Sequence, residues 1–152
     1  MESKTILIVE HDYLLRQRVR ESVHRNFPAA RILDYILAGQ VLREMKRLRL
    51  DLVITGDQLL DSSGKAFAAA ARRQMPLLPI ITLIEEDCAE PVPPTRLDRY
   101  VPKNSIDSLL VPAVLAMLNS ESVILRAAPA AFPAAMPAAR AAQKSPTTLG
   151  SP

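Results

Sequence analysis

The residues of this chain that could do chemistry stand at the ends of short apolar runs. Glu10, His11 and Asp12 follow Ile6-Leu7-Ile8-Val9, and Gly56 and Asp57 follow Leu52-Val53-Ile54-Thr55. Ile84 ends a further run, and Tyr100 and Lys103 lie on a last one. A lysine that leaves water needs a carboxylate beside it, because an unpartnered buried charge is costly. A structural Glu10–Lys103 ion pair is therefore the expectation for these two. His11 as a neutral imidazole suits softer metals than those that carboxylates hold, and reads as a partly exposed loop residue. Ile84 reads as an extension of the core and Tyr100 as a cap on the last strand. The sequence has no glycine-rich phosphate loop, no Ser/His/Asp or Cys/His arrangement and no clustered metal ligands. Cys88 is the single cysteine, so no disulfide framework forms within the chain, and neither a CxxC nor a neighbouring histidine activates it. The expectation is a protein that is not an enzyme.

These positions depend on elements that the hydrophobic period reveals. Residues 5–9 form a continuous, β-branched apolar run, as in a strand buried on both faces. Leu15, Val19, Val23 and Phe27 then recur at helical spacing, with Asp12 as the cap and Pro28 as the stop. The same alternation predicts strands at 31–36, 51–55, 79–84 and 97–101. It predicts helices at 40–49, 65–74 and 105–118, the last kinked by Pro112. Residues 56–64 read as a loop in which Asp61, Ser62, Ser63 and Gly64 are ordinary turn residues. Between 85 and 96 lie Pro91, Pro93 and Pro94, and proline removes a helix donor and clashes with the preceding turn. A regular helix is not expected there. The gap should leave an apolar groove exposing parts of Leu83, Ile84 and Leu97.

Strands alternating with helices imply an α/β protein, a parallel sheet covered on both faces. Five such units fit the flavodoxin-like, doubly wound order 2-1-3-4-5, with the fourth helix degenerate or absent. In that order the crevice at the carboxyl ends of strands 1 and 3 is where a ligand or chemistry would sit. Residues 1–120 form the domain. Residues 121–152, rich in Ala and Pro, are expected to be mostly disordered, with one more helical turn at 122–126.

Nineteen basic and sixteen acidic residues leave a formal charge of +3, too even to argue for nucleic acid. The densest basic group, Arg43, Lys46, Arg47 and Arg49, interleaves with Val41, Leu42, Met45 and Leu48 and reads as the solvated face of a helix. The sequence shows neither a secretory leader nor an apolar run near the roughly 20 residues of a membrane span. The expectation is a cytoplasmic protein without nucleic-acid or membrane partners.

Four of these segments resemble response-regulator receiver domains. Ile-Leu-Ile-Val-Glu-His-Asp at 6–12 resembles their first strand and acidic turn. Asp-Leu-Val-Ile-Thr at 51–55, with Gly64 nine residues on, looks like the third strand and its loop. Pro-Ile-Ile-Thr-Leu at 79–83 and Tyr-Val-Pro-Lys at 100–103 look like the fourth and fifth strands. The resemblance covers residues 4 to about 119, apart from the proline-rich stretch, and rests on four motifs in the right order and spacing.

In that family two acidic side chains after strand 1 and an aspartate ending strand 3 hold Mg²⁺, and the aspartate takes a phosphoryl group from a histidine kinase. A lysine after strand 5 pairs with the phosphoryl oxygens, a Ser or Thr ending strand 4 senses the charge, and an aromatic in strand 5 follows. Here Glu10, Tyr100 and Lys103 match. His11 replaces the second acid, with Asp12 one place later, Gly56 stands at the acceptor position, and Ile84 replaces the hydroxyl residue. Asn104 follows the lysine where many members have proline. The resemblance therefore implies an atypical receiver, a pseudo-receiver without the phospho-acceptor. Its pocket would be Glu10, His11, Asp12, Gly56, Asp57, Ile84 and Lys103, with Tyr100 as the switch aromatic. It would act by protein–protein contact in a two-component or phosphorelay circuit, with a histidine kinase or a downstream signalling protein as partner and homodimerisation left open. It would need no cofactor. The alternative is a stand-alone response regulator phosphorylated at Asp57, with Glu10, Asp12 and Asp57 holding Mg²⁺. A third reading, a small-molecule binder or enzyme on the same fold, has no motif behind it.

Overall fold

The computed structural model describes residues 3–85 and 95–131, with side chains as far as Asn119. The elements run β1 (Thr5–Val9), α1 (Tyr13–Asn26), β2 (Arg31–Tyr35), α2 (Ala38–Leu48), β3 (Leu52–Gly56), α3 (Gly64–Gln74), β4 (Ile80–Ile84), β5 (Asp98–Pro102), a 3₁₀ turn at Lys103–Ser105 and α4 (Ile106–Ala131). All neighbouring strands pair in parallel, in the order β2-β1-β3-β4-β5. The expected doubly wound sheet is therefore the fold. The sheet and the helices packed on it belong to one unit that ends at Leu118.

Strand alternation splits the core in two. Ile6, Ile8, Ile54, Ile81, Leu83 and Val101 face one way, against α1 and α4, with Val19, Val23, Ile106, Leu110 and Val114. Leu7, Val9, Val53 and Ile80 face the other way, against α2 and α3, with Val41, Met45, Phe67 and Ala71. β3 is buried at all five positions, as the central strand of a sheet covered on both sides must be.

α1 begins where the sequence places it. Asp12 accepts a hydrogen bond from the amide of Leu15 at 3.1 Å. α2 starts two residues earlier than its hydrophobic period suggests, and the cause lies far away in sequence. Its N-cap, Leu37, offers no side-chain acceptor. Instead Asp61, in the loop after β3, takes the amides of Ala38 and Gly39, both at 2.9 Å. Asp61 is thus a helix cap supplied from another loop rather than only a turn residue. The Gly39 and Ala38 amides hold its carboxyl below the usual carboxylate range. A group with a depressed folded pKa adds stability above its unfolded pKa and loses it as the pH falls through the folded one. Asp61→Ala is therefore expected to lower the melting temperature at pH 7. The gap from the unmodified chain should close as the pH falls into the acid range, and equal melting temperatures at pH 7 would remove the capping role.

β3 runs one residue past the expected end, because Gly56 pairs with Leu83 of β4. The loop that follows is closed by the amide of Gly64 on the carbonyl of Asp57 at 2.8 Å and by Leu59 on Ser62 at 2.8 Å. Gly64 must be small, since a Cβ there would collide with the Gly56 carbonyl and stand 3.0 Å from Asp57 Cα. β5 keeps Pro102 because an edge strand tolerates a residue without an amide donor.

Two expectations change toward the end of the chain. Leu83, Ile84 and Leu97 are all buried rather than partly exposed. Alternation turns Leu83 to the α1–α4 side, so only Ile84 lines the groove. That groove, about 910 Å³, lies between α3 and strands β4 and β5, where Thr82 and Tyr100 also line it. No helix stands between β4 and β5 among the described residues, and residues 86–94, with the three prolines, lie outside them. The last helix starts directly after Ser105, the residue expected to precede it, and continues past the exposed Pro112. It reaches Ala131, beyond the single turn expected at 122–126. A helix already nucleated needs only propagation, and the alanines before and after Pro129 are the best helix formers. The remaining tail lies outside the described residues.

Candidate functional site

The loops after β1, β3, β4 and β5 bring the sequence-predicted residues to the carboxyl end of the sheet. Glu10, the first residue past β1, is fixed through its backbone. Its amide donates to the Tyr35 carbonyl at 3.1 Å, and its carbonyl accepts from Arg16 Nη1 at 2.7 Å. Its side chain turns inward and is only 1% exposed. One oxygen, Oε2, accepts from the amide of Asp12 at 2.9 Å and lies 3.5 Å from His11 Nδ1. The other, Oε1, is buried and has no hydrogen-bond partner among the described residues.

That second oxygen explains the glycine at 56. A Cβ on Gly56 would collide with Glu10 Oε1 and stand 3.1 Å from Glu10 Cδ. Gly56 lies in regular strand without a positive φ, so space and not backbone freedom is what bears on it: a Cβ there would push the end of the Glu10 side chain aside. The two positions compete for one volume. In this chain residue 10 fills it and residue 56 leaves it open.

Lys103 takes partners other than the one expected. Its Nζ lies 2.6 Å from Glu85 Oε2 and 3.1 Å from Asp57 Oδ1, and no ion pair joins it to Glu10. Strand order supplies the reason. β3 and β4 separate β5 from β1, so the carboxylates nearest to Lys103 come from the ends of β3 and β4. Burial by itself would lower the Lys103 pKa, but the hydrogen bond to Glu85 and the Asp57 carboxylate beside it outweigh it and hold the ammonium above its ordinary value. Glu85 was not singled out from the sequence, although it directly follows β4 at the edge where such residues gather.

The other predicted residues are placed apart. The Asp12 carboxylate is engaged in capping α1, and the His11 side chain is 39% exposed. Asp57 is half-buried and lines the groove beside α3, on the wall that Ile84 and Tyr100 share. The alternative metal set does not assemble. Among the described residues no group of three or more His, Cys, Asp or Glu is placed to hold a metal ion. Mg²⁺ wants several oxygen ligands in near-octahedral geometry. Here one Glu10 oxygen serves an amide, the other abuts Gly56, and Asp12 serves a helix. The donors do not fit the ion.

No protein-family model matches the sequence, and no curated protein does. Solved structures match in shape. The signal receiver domain of an HD domain-containing protein from Pseudomonas fluorescens Pf-5 is 20% identical over 80% of this chain and 99% of its own, with a TM-score of 0.68. A response regulator receiver protein from Sinorhizobium medicae WSM419 is 19% identical over 79% and 98%, with a TM-score of 0.67. A CheY-like receiver domain protein from Methanospirillum hungatei JF-1 is 17% identical over 80% and 98%, also at 0.67. None of the described helices is long and apolar enough to cross a membrane. With its strand order, its two-sided core and these neighbours, the chain has the flavodoxin-like fold of response-regulator receiver domains.

Proposed function

We propose that this chain is a pseudo-receiver, a cytoplasmic, non-enzymatic signalling module that acts by protein–protein contact without conventional aspartate phosphorylation. One observation carries the reading: the Glu10 carboxylate fills the volume that a side chain at position 56 would need. A receiver's acceptor belongs in that volume. Lys103, whose counterpart meets phosphoryl oxygens, is instead neutralised by Asp57 and Glu85. Charges that signalling chemistry would supply from outside are thus supplied by the chain itself. Partners would be proteins of a two-component or phosphorelay circuit, such as a histidine kinase.

One contact favours a second reading, phosphorylation at Asp57. Its carboxylate lies 3.1 Å from Lys103 and its side chain is 20% exposed. Against it, Lys103 already binds Glu85, and Glu10 and Asp12 do not join Asp57 in a metal site. Chemical phosphorylation separates the two readings. After incubation with a small phosphodonor and Mg²⁺, the intact mass is expected to stay that of the unmodified chain.

A further inference from the structure

The loops after β2 and β3 present an unusual apolar group. Leu60 is 66% exposed, Ile36 43% and Leu37 39%. Single exposed apolar residues are common and need no explanation. These three are different, because Asp61 ties their loops together. It follows Leu60 and bonds the amides of Ala38 and Gly39, directly after Leu37. Two hydrogen bonds therefore hold the loop of Leu60 against the start of α2, beside Leu37 and Ile36, and together they make an apolar platform.

Below that platform the exposed side of α2 is basic. Gln40, Arg43 and Arg47 follow at helical spacing, with Lys46 beside them, and all four are exposed. None of the three cations makes an ion pair with a described residue. Against these three cations stand two carboxylates, Glu44 on α2, which accepts from the Tyr35 hydroxyl at 2.7 Å, and Asp61 beside Arg43, so the stripe keeps a net positive charge. The neighbouring α3 has no acidic residue, so nothing on that helix offsets the charge.

We infer that this platform and the stripe beneath it dock an acidic amphipathic helix of a partner protein. The partner helix would place apolar side chains on Leu60, Ile36 and Leu37 and carry Asp or Glu over the next two turns, against Arg43, Lys46 and Arg47. Charge complementarity selects an acidic partner, and the apolar platform selects a protein over a nucleic acid, whose phosphate backbone offers nothing to bury there. The inference deepens the interaction-module reading by naming the surface and the chemistry of the partner.

The test uses the full chain and a short synthetic helix with leucines in one end turn and glutamates along the same face. Amide NMR should show shifts confined to the β2–α2 loop, α2 and the β3–α3 loop. Arg43→Glu with Arg47→Glu should weaken binding by at least about tenfold, and Leu60→Ser by a similar factor. These side chains are exposed, so the variants should keep their thermal melts. Equal or tighter binding of a lysine-for-glutamate peptide or of duplex DNA would overturn the inference. Shifts confined to other faces, or no binding at all, would overturn it too. Phosphorylation of Asp57 is read by mass, so failure of the pseudo-receiver reading is seen separately from failure of this surface.

Discussion

Gly56→Asp, which places a carboxylate where the pseudo-receiver reading puts the absent acceptor, is expected to destabilise the chain by about 3 kcal/mol, from overpacking and like charge together. The Cβ of the new residue would push Glu10 Oε1 from its place and disturb the bond from the Asp12 amide to Oε2. The carboxylate beyond would meet a second carboxylate that is 1% exposed. Gly56→Ala isolates the steric part and should cost about 1–3 kcal/mol. Both penalties come from Glu10, so both should shrink in a Glu10→Ala background. A double-mutant cycle by urea denaturation measures this directly. Additive costs would show that the two positions do not share a volume, and the account of the missing acceptor would lose its physical basis.

Lys103→Met is expected to cost about 1–3 kcal/mol, between the values for exposed and buried ion pairs. The ammonium holds two carboxylates, Asp57 and Glu85, and its side chain is 25% exposed. Removing it leaves like charges facing each other across a half-buried space. Asp57→Asn should recover part of the loss in the Lys103→Met background, whereas Glu10→Gln should recover none. The pH dependence has a fixed sign. Lys103 has a raised folded pKa, so its contribution is complete below its unfolded pKa, about 10.4. It is lost as the pH rises through the folded value, and the gap between Lys103→Met and the unmodified chain should narrow in that alkaline range. Full recovery by Glu10→Gln would restore the Glu10–Lys103 pairing that the structure replaces.

Local signals explain why the fold could be read from the sequence. β1, β3 and β4 are short, mostly apolar runs with turn residues beside them, and Asp12 caps α1 from the adjacent position. Boundaries shifted where a partner came from elsewhere. α2 begins early because Asp61 reaches it from 23 residues away, and no local pattern announces such a cap. β3 ends late because Leu83 of a different strand pairs with Gly56.

The site was legible in its membership and not in its pairing. Glu10, Gly56 and Asp57 could be named because they follow apolar runs and Lys103 because Tyr-Val-Pro-Lys resembles a receiver's fifth strand, and the strand order sends those ends to one edge. Which carboxylate meets Lys103 depends on lateral distance across the sheet, which one-dimensional spacing does not encode. The reason for Gly56 was hidden in the same way, since glycine in a strand reads as flexibility until the neighbouring strand shows what fills the space. Leu83 is buried because alternation along β4 turns it to the α1–α4 core, a facing that the composition of the following segment does not encode.

The most direct measurement is the intact mass of the full chain after incubation with phosphoramidate and Mg²⁺, with Asp57→Asn treated in parallel. The account predicts that both proteins keep their unmodified mass, because position 56 has no acceptor and Asp57 has no assembled metal site beside it. A single phosphoryl adduct on the unmodified chain that disappears in Asp57→Asn would contradict it.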